Sequence, residues 1–220
     1  MQKKVLSTIL LLLTGIVFIP QAHAALIAAD AVANSSWYTM PVSTIVDGSG
    51  LNTANNPPTH TSTDWSSSWE TMPYQYSGVV TFDFHQNTDV GSFRVWNFNL
   101  VNGNGSFTGR GSKDVNVLTQ TDGGAWVDRG LYLFPEAPGL DSYTGNLFAN
   151  QNWEDVRYVK FNISSIWGEG DTGGHTGLSE VQFYTPEETP GNGQSTVPEP
   201  ATMFLLGSGF LGIFFRRFGR

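Results

Sequence analysis

The chain has 220 residues, 40% of them hydrophobic and only 14% charged, with 25 glycines, 7 tryptophans and no cysteine. The lack of cysteine excludes disulfides, thiol catalysis and cysteine-ligated zinc. Five of the 11 basic residues (Lys3, Lys4, Arg216, Arg217, Arg220) and one of the 19 acids (Glu199) sit in the end segments, which leaves the rest with 18 acids against 6 bases, a net of −12; no nucleic-acid partner is expected, because that needs a basic footprint.

Met1–Lys4 is basic, Val5–Pro20 is apolar, and Ala22-His23-Ala24 has small residues at both positions that a signal peptidase reads. Residues 1–24 therefore read as a secretory signal peptide, a short apolar helix cleaved after Ala24.

From residue 25 to 186 no helical period is evident. Short alternating runs are broken by Gly, Asn, Asp and Pro. In Val79–Phe84 the residues Val80, Phe82 and Phe84 fall on one face and Thr81 and Asp83 on the other. Phe93–Phe98 sets Phe93 and Val95 against Arg94. Val115–Thr119 leads into the turn Thr121-Asp122-Gly123-Gly124, after which Ala125-Trp126-Val127 can return. Arg157–Ile163 alternates again, with Val159, Phe161 and Ile163 on one face, and Leu178–Tyr184 closes the series. Several short strands with turns between them predict an all-β sandwich or barrel. Phe82, Phe84, Trp96, Trp126, Phe161 and Phe183 are expected in its core.

In this order the pieces resemble the coagulation factor V/VIII type C (discoidin) family. Ile45-Val46-Asp47-Gly48 is similar to its early Asp-Gly loop, and Asp64-Trp65-Ser66-Ser67 to its Trp-x-Ser element. Val79–Phe84, Phe93–Asn97, Val115–Trp126, Arg157-Tyr158-Val159 and Gly177–Tyr184 are similar to its successive strands. The stretch from Gly48 to Asp64 is longer than the family's usual loop. The resemblance implies a galactose-binding-like jelly-roll β-sandwich over residues 25–186. It also implies a structural calcium joining the early loop to the final strand, with Asp47 and Glu180 as side-chain ligands and Asn52 as a weaker one. Ca²⁺ takes oxygen ligands of these types. Relatives bind glycans in loops at one end of the sandwich. There the resemblance points to Trp69, Tyr74, Trp153 and His175 as ligand-binding residues, while Trp65 and Trp167 are expected to plug the ends of the core.

Enzyme signatures are weak. His60, His85 and His175 share no metal spacing, and there is neither H-E-x-x-H nor G-x-S-x-G. Asn102-Gly103-Asn104-Gly105 reads as a loop between strands, without the helix that a phosphate loop needs. Paired carboxylates arise by chance among so many acids.

Residues 187–196 are a Pro, Gly, Glu, Ser and Thr linker. Then come Pro198-Glu199-Pro200, an uncharged and largely apolar Ala201–Phe215, and Arg216-Arg217. Fifteen residues of helix span about 22 Å, short of a hydrocarbon core of ~30 Å. The arginines favour the cytoplasmic side. Residues 197–220 resemble a PEP-CTERM sorting signal, with Pro198, Glu199, Pro200, Arg216 and Arg217 as its motif residues and a short transmembrane helix between. This implies transient anchoring in the inner membrane of a Gram-negative bacterium, processing by an exosortase, and delivery to the cell surface or exopolysaccharide matrix. The expected protein is a non-catalytic one that binds a glycan or exopolysaccharide. The alternatives are a purely structural matrix component or, further off, a polysaccharide-modifying enzyme.

Overall fold

The computed structural model describes residues 24–168 and 174–187. The expected signal segment up to His23, the linker beyond Glu187 and the sorting tail with its helix lie outside these residues. Among the described residues no helix is long and apolar enough to cross a membrane.

Fourteen strands occur in chain order: β1 (Leu26–Ile27), β2 (Asp30–Ala33), β3 (Leu51–Asn52), β4 (Thr59–His60), β5 (Trp69–Glu70), β6 (Gly78–Val90) and β7 (Ser92–Asn97), then β8 (Val101–Asn102), β9 (Gly105–Ser106), β10 (Asp114–Gln120), β11 (Val127–Leu133), β12 (Asn146–Phe148), β13 (Trp153–Ile163) and β14 (Gly177–Tyr184). Among the described residues β3 with β4 and β8 with β9 form two-stranded sheets, and the other ten strands form two five-stranded antiparallel sheets. The first runs β1-β14-β7-β12, with β5 also pairing β14; the second runs β11-β10-β13-β6-β2. The molecule is an all-β two-sheet sandwich.

The alternation of the long strands dictates which side chains meet between the sheets. Val80, Phe82 and Phe84 of β6, Val159, Phe161 and Ile163 of β13, and Leu178, Val181 and Phe183 of β14 share one buried cluster with Phe93 and Val95 of β7. The Phe82 ring meets those of Phe161 and Phe183 edge-on at 5.0 Å, the geometry that aromatic quadrupoles favour. Trp96 is also buried, but in a separate cluster with Ala137 and Tyr143. The expectation for Trp126 was wrong. It lies in the β10–β11 connection, half-buried, with Lys160 Nζ 3.7 Å from its ring centre.

Strand registers sort the loops between the two ends of the sandwich. Gly78 pairs Ile163, Val115 also pairs Ile163, Leu178 pairs Asn97 and Ala33 pairs Val80. The loops after β2 and β7 and before β6, β10 and β14 therefore share one end. At the other end Leu26 pairs Tyr184, so the first and last strands of the domain meet there.

Candidate functional site

The shared loop end is rich in aromatic rings. Three of its segments hold the rings described next: 34–41 after β2, 71–77 before β6, and 174–176 before β14. Hydrogen bonds tie them together. Trp37 N donates to Glu70 O at 2.7 Å and Gln75 N to Gly174 O at 2.9 Å, and Met72 N donates to Ser35 Oγ at 3.1 Å. Thr71 Oγ1 closes its own loop by donating to Gln75 O at 2.8 Å. Within that turn Pro73 precedes Tyr74, which takes a φ of 64°. A left-handed backbone is uncommon for a bulky side chain and is held only by its surroundings. Here it leaves the Tyr74 ring 75% exposed, beside a loop that carries Tyr38 at 83%. Tyr76 packs over Gly174, where a Cβ would collide with its ring.

Beneath the rings lies a polar floor. His175 is 6% exposed, and its Nδ1 is 2.7 Å from Thr71 O. A carbonyl only accepts, so Nδ1 carries the hydrogen. Trp37 packs against this imidazole at 5.4 Å, ring edge to face. Glu70 Oε2 lies 3.8 Å from Nδ1, while Glu70 Oε1 accepts from Arg110 Nη1 at 3.0 Å. Arg110 in turn stacks over Phe107 at 4.7 Å. A buried carboxylate is tolerable because it is paired and hydrogen-bonded.

A second arrangement lies along β14. The pairing of β14 with β7 shifts between Leu178 and Glu180. After the shift Val181 and Phe183 face the core, and Glu180 shares the opposite face with Gln182. On that side β14 pairs β5 only at Gly177–Leu178 and β1 only at Phe183–Tyr184. The loop of residues 46–53 lies beside the gap. The result is a cavity of about 360 Å³ lined by Asp47, Gly48, Leu51, Thr53, Glu180 and Gln182, together with Leu26–Ala29, Val46 and Val181. Asp47 Oδ1 accepts from Ser49 N at 2.7 Å, an Asx turn continued by Gly48 at φ 78°. Glu180 is 1% exposed, and its Oε2 has no hydrogen-bond partner. Burial, and after it the negative charge of Asp47, push the Glu180 carboxyl up to about 9, against a smaller opposing pull from the Gly48 backbone.

Two converging carboxylates and an orphaned buried oxygen fit a hard cation that accepts oxygen ligands. Among the described residues no cluster of three or more His, Cys, Asp or Glu could hold a metal, so the remaining oxygens of such a site would come from backbone carbonyls and water. Asn52 is not in the lining, and its Oδ1 accepts from Ala54 N at 3.1 Å.

The expected ligand residues divide. Tyr74 and His175 come together at the loop end, Tyr74 outermost and His175 below. Trp69 and Trp153 do not, and both are corrected to core residues. Trp69 is fully buried, with Nε1 donating to Ser35 O and Ser36 Oγ at 3.1 and 3.0 Å. Trp153 is buried and stacked on Phe93 at 5.6 Å. A ring with no exposed face has nothing to offer a sugar. Trp65 packs partly buried against the Met40, Phe98 and Leu100 cluster, and Trp167 Nε1 donates to Phe134 O at 2.9 Å. Sequence reasoning missed Trp37, Tyr38 and Tyr76. The available signal was the pairing of rings in Trp37-Tyr38, three residues before Pro41, and in Tyr74-x-Tyr76, directly after Pro73.

Residues 196–220 match the PEP-CTERM protein-sorting motif. No curated protein sequence matches the chain. The fold matches solved structures at low identity. A family 32 carbohydrate-binding module from C. perfringens, solved with galactose, has a TM-score of 0.50 at 15% identity, over 74% of this chain and 99% of that one. An F5/8 type C domain from Bacteroides fragilis has a TM-score of 0.51 at 12% identity, over 74% and 97%. A fucose-binding module from Streptococcus pneumoniae has a TM-score of 0.50 at 14% identity, over 73% and 98%. The C-terminus therefore carries a PEP-CTERM motif, and the domain has the fold of F5/8 type C and family 32 carbohydrate-binding modules.

Proposed function

We propose that this is an exported, non-catalytic protein whose β-sandwich binds carbohydrate at the loop end, with delivery to the cell surface or exopolysaccharide matrix. The observation that carries the proposal is the exposure of Tyr38 and Tyr74 beside a buried polar floor. Flat rings stack on the apolar faces of sugars, and nearby backbone groups and the His175 imidazole hydrogen-bond hydroxyls. The fold it shares with galactose- and fucose-binding modules supports the same assignment by analogy. The sorting motif supports the destination. Residues 1–24 direct export through the inner membrane, signal peptidase removes them, and an exosortase acts on the Pro198-Glu199-Pro200 region and releases the helix and arginines.

Asp47 and Glu180 are the residues that would hold a structural calcium. When bound, the ion supplies the positive charge that allows both carboxylates to ionise in the cavity. Asn52 has no part in this assignment.

A glycan array probed with the full chain in detergent tests the binding role. Spots lit by the wild type should dim at least tenfold, about 1.4 kcal/mol, for Tyr74→Ala, and should be unchanged for Trp126→Ala. No binding to any glycan would leave a purely structural matrix role in its place. Release of product from purified exopolysaccharide would make the protein an enzyme.

A further inference from the structure

We infer that the glycan taken at the loop end is an uncharged one, and that chains bearing uronate or sulfate are discriminated against. This rests on the carbohydrate-binding proposal above and names the ligand's chemical class.

The three segments that carry the exposed rings, residues 34–41, 71–77 and 174–176, contain no Lys, Arg, Asp or Glu. The intervening residues 169–173 contain no Lys or Arg either. The nearest base in the polar floor is Arg110, whose side chain is 12% exposed and ion-paired with Glu70 at 3.0 Å. The domain's other bases lie over aromatic rings, Lys113 at this same end just before β10 and the rest on the strands. Arg94 lies over Trp96 at 5.7 Å, Lys113 over Trp167 at 5.1 Å, Arg129 over Trp153 at 6.0 Å, Arg157 over Tyr158 at 5.2 Å and Lys160 over Trp126 at 3.7 Å. Arg157 is also ion-paired with Asp83 at 2.8 Å.

All six basic residues between 25 and 186 therefore rest on aromatic rings. This has two consequences. Five of the seven tryptophans have a cation over the ring, Trp69 is buried, and Trp37 is half-buried against His175 and Tyr38, so the most exposed aromatic faces for a sugar are those of Tyr38 and Tyr74. Those rings also stand on segments that carry no base of their own, and the two bases in neighbouring loops, Arg110 and Lys113, are held over Phe107 and Trp167. A carboxylate or sulfate seated there would lose water without gaining an ion pair, a costly exchange. It would also approach a domain of strong net negative charge. Hydroxyls carry neither penalty.

The test is calorimetric titration of the full chain in detergent with a panel that pairs neutral galactan, glucan and fucosylated oligosaccharides with polygalacturonate and sulfated counterparts, at low and high salt. Binding to a neutral member, with affinity unchanged by salt and at least tenfold above every acidic member, is the expected result. Equal or tighter binding of an acidic member, weakening as salt rises, overturns the inference and leaves carbohydrate binding intact. Silence across the whole panel overturns carbohydrate binding itself. Met72→Lys, which places a base on the exposed turn, should create salt-sensitive binding to polygalacturonate. Failure to do so would show that charge is not what excludes acidic chains.

Discussion

A carboxyl group with 1% exposure and an unpartnered oxygen resists ionisation, and Glu180 is such a group. Between its ordinary value of 4.5 and about 9, the unfolded chain has released this proton while the folded chain still holds it. The folded state then binds more protons than the unfolded one, so its stability falls as pH rises through that window. A calcium ion in the cavity would replace the proton and remove the loss. Melting curves of the full chain should show a stabilisation by calcium that EGTA reverses, small at about pH 5 and growing as pH rises toward about 9. Glu180→Gln should abolish both the calcium response and this part of the pH slope. Equal melting temperatures with calcium and with EGTA throughout the range would rule the site out. His60 acts in the opposite direction: burial lowers its pKa, so its contribution is lost as pH falls below its ordinary value. The Glu180→Gln comparison separates the two.

At the scale of elements, β6 and β13 form the longest pairing in the second sheet, from Ile163↔Gly78 to Trp153↔Val90. Phe161 lies at its centre, fully buried and in ring contact with Phe82, Phe134 and Phe93. Phe161→Ala should cost about 3–5 kcal/mol in denaturant unfolding; a loss near zero would mean that the two sheets do not pack through this residue. These strands were readable in the sequence because side-chain alternation is a local property: Val159, Phe161 and Ile163 declare their common face within five residues. The tryptophans were not readable in that way. Trp69 is buried because β5 pairs with Leu178, a contact set by the distant end of the chain. Trp126 lies outside the core because it precedes β11, an edge strand whose first residue, Val127, is itself 47% exposed. Asp47 and Glu180 could be joined only through resemblance to a known fold, because nothing local relates two residues so far apart. Tyr38 escaped notice because an aromatic residue in an uncharged loop gives no periodic signal.

At the scale of the whole molecule, an all-β sandwich precedes the PEP-CTERM motif of residues 196–220, and residues 1–24 are proposed as an export address. Export and sorting together predict a mature species lacking residues 1–24 and the segment Phe204–Arg220. Intact-mass measurement on protein recovered from a host with an exosortase should find that species; a mass that retains Phe204–Arg220 would contradict processing. Within the domain the cavity beside Asp47 and Glu180 and the aromatic end adjoin one strand. Glu180 lies on β14, and His175 lies two residues before its first residue, Gly177. Calcium is thus assigned to holding the sandwich, while contact with sugar is left to the loops. The most direct measurement of that division of labour is calorimetric titration of the host's own exopolysaccharide into the full chain, beside the Tyr38→Ala/Tyr74→Ala double variant. Saturable binding by the wild type that disappears in the double variant, with melting temperature unchanged, is the outcome expected. Binding retained in the double variant would contradict the placement of the sugar at the loop end.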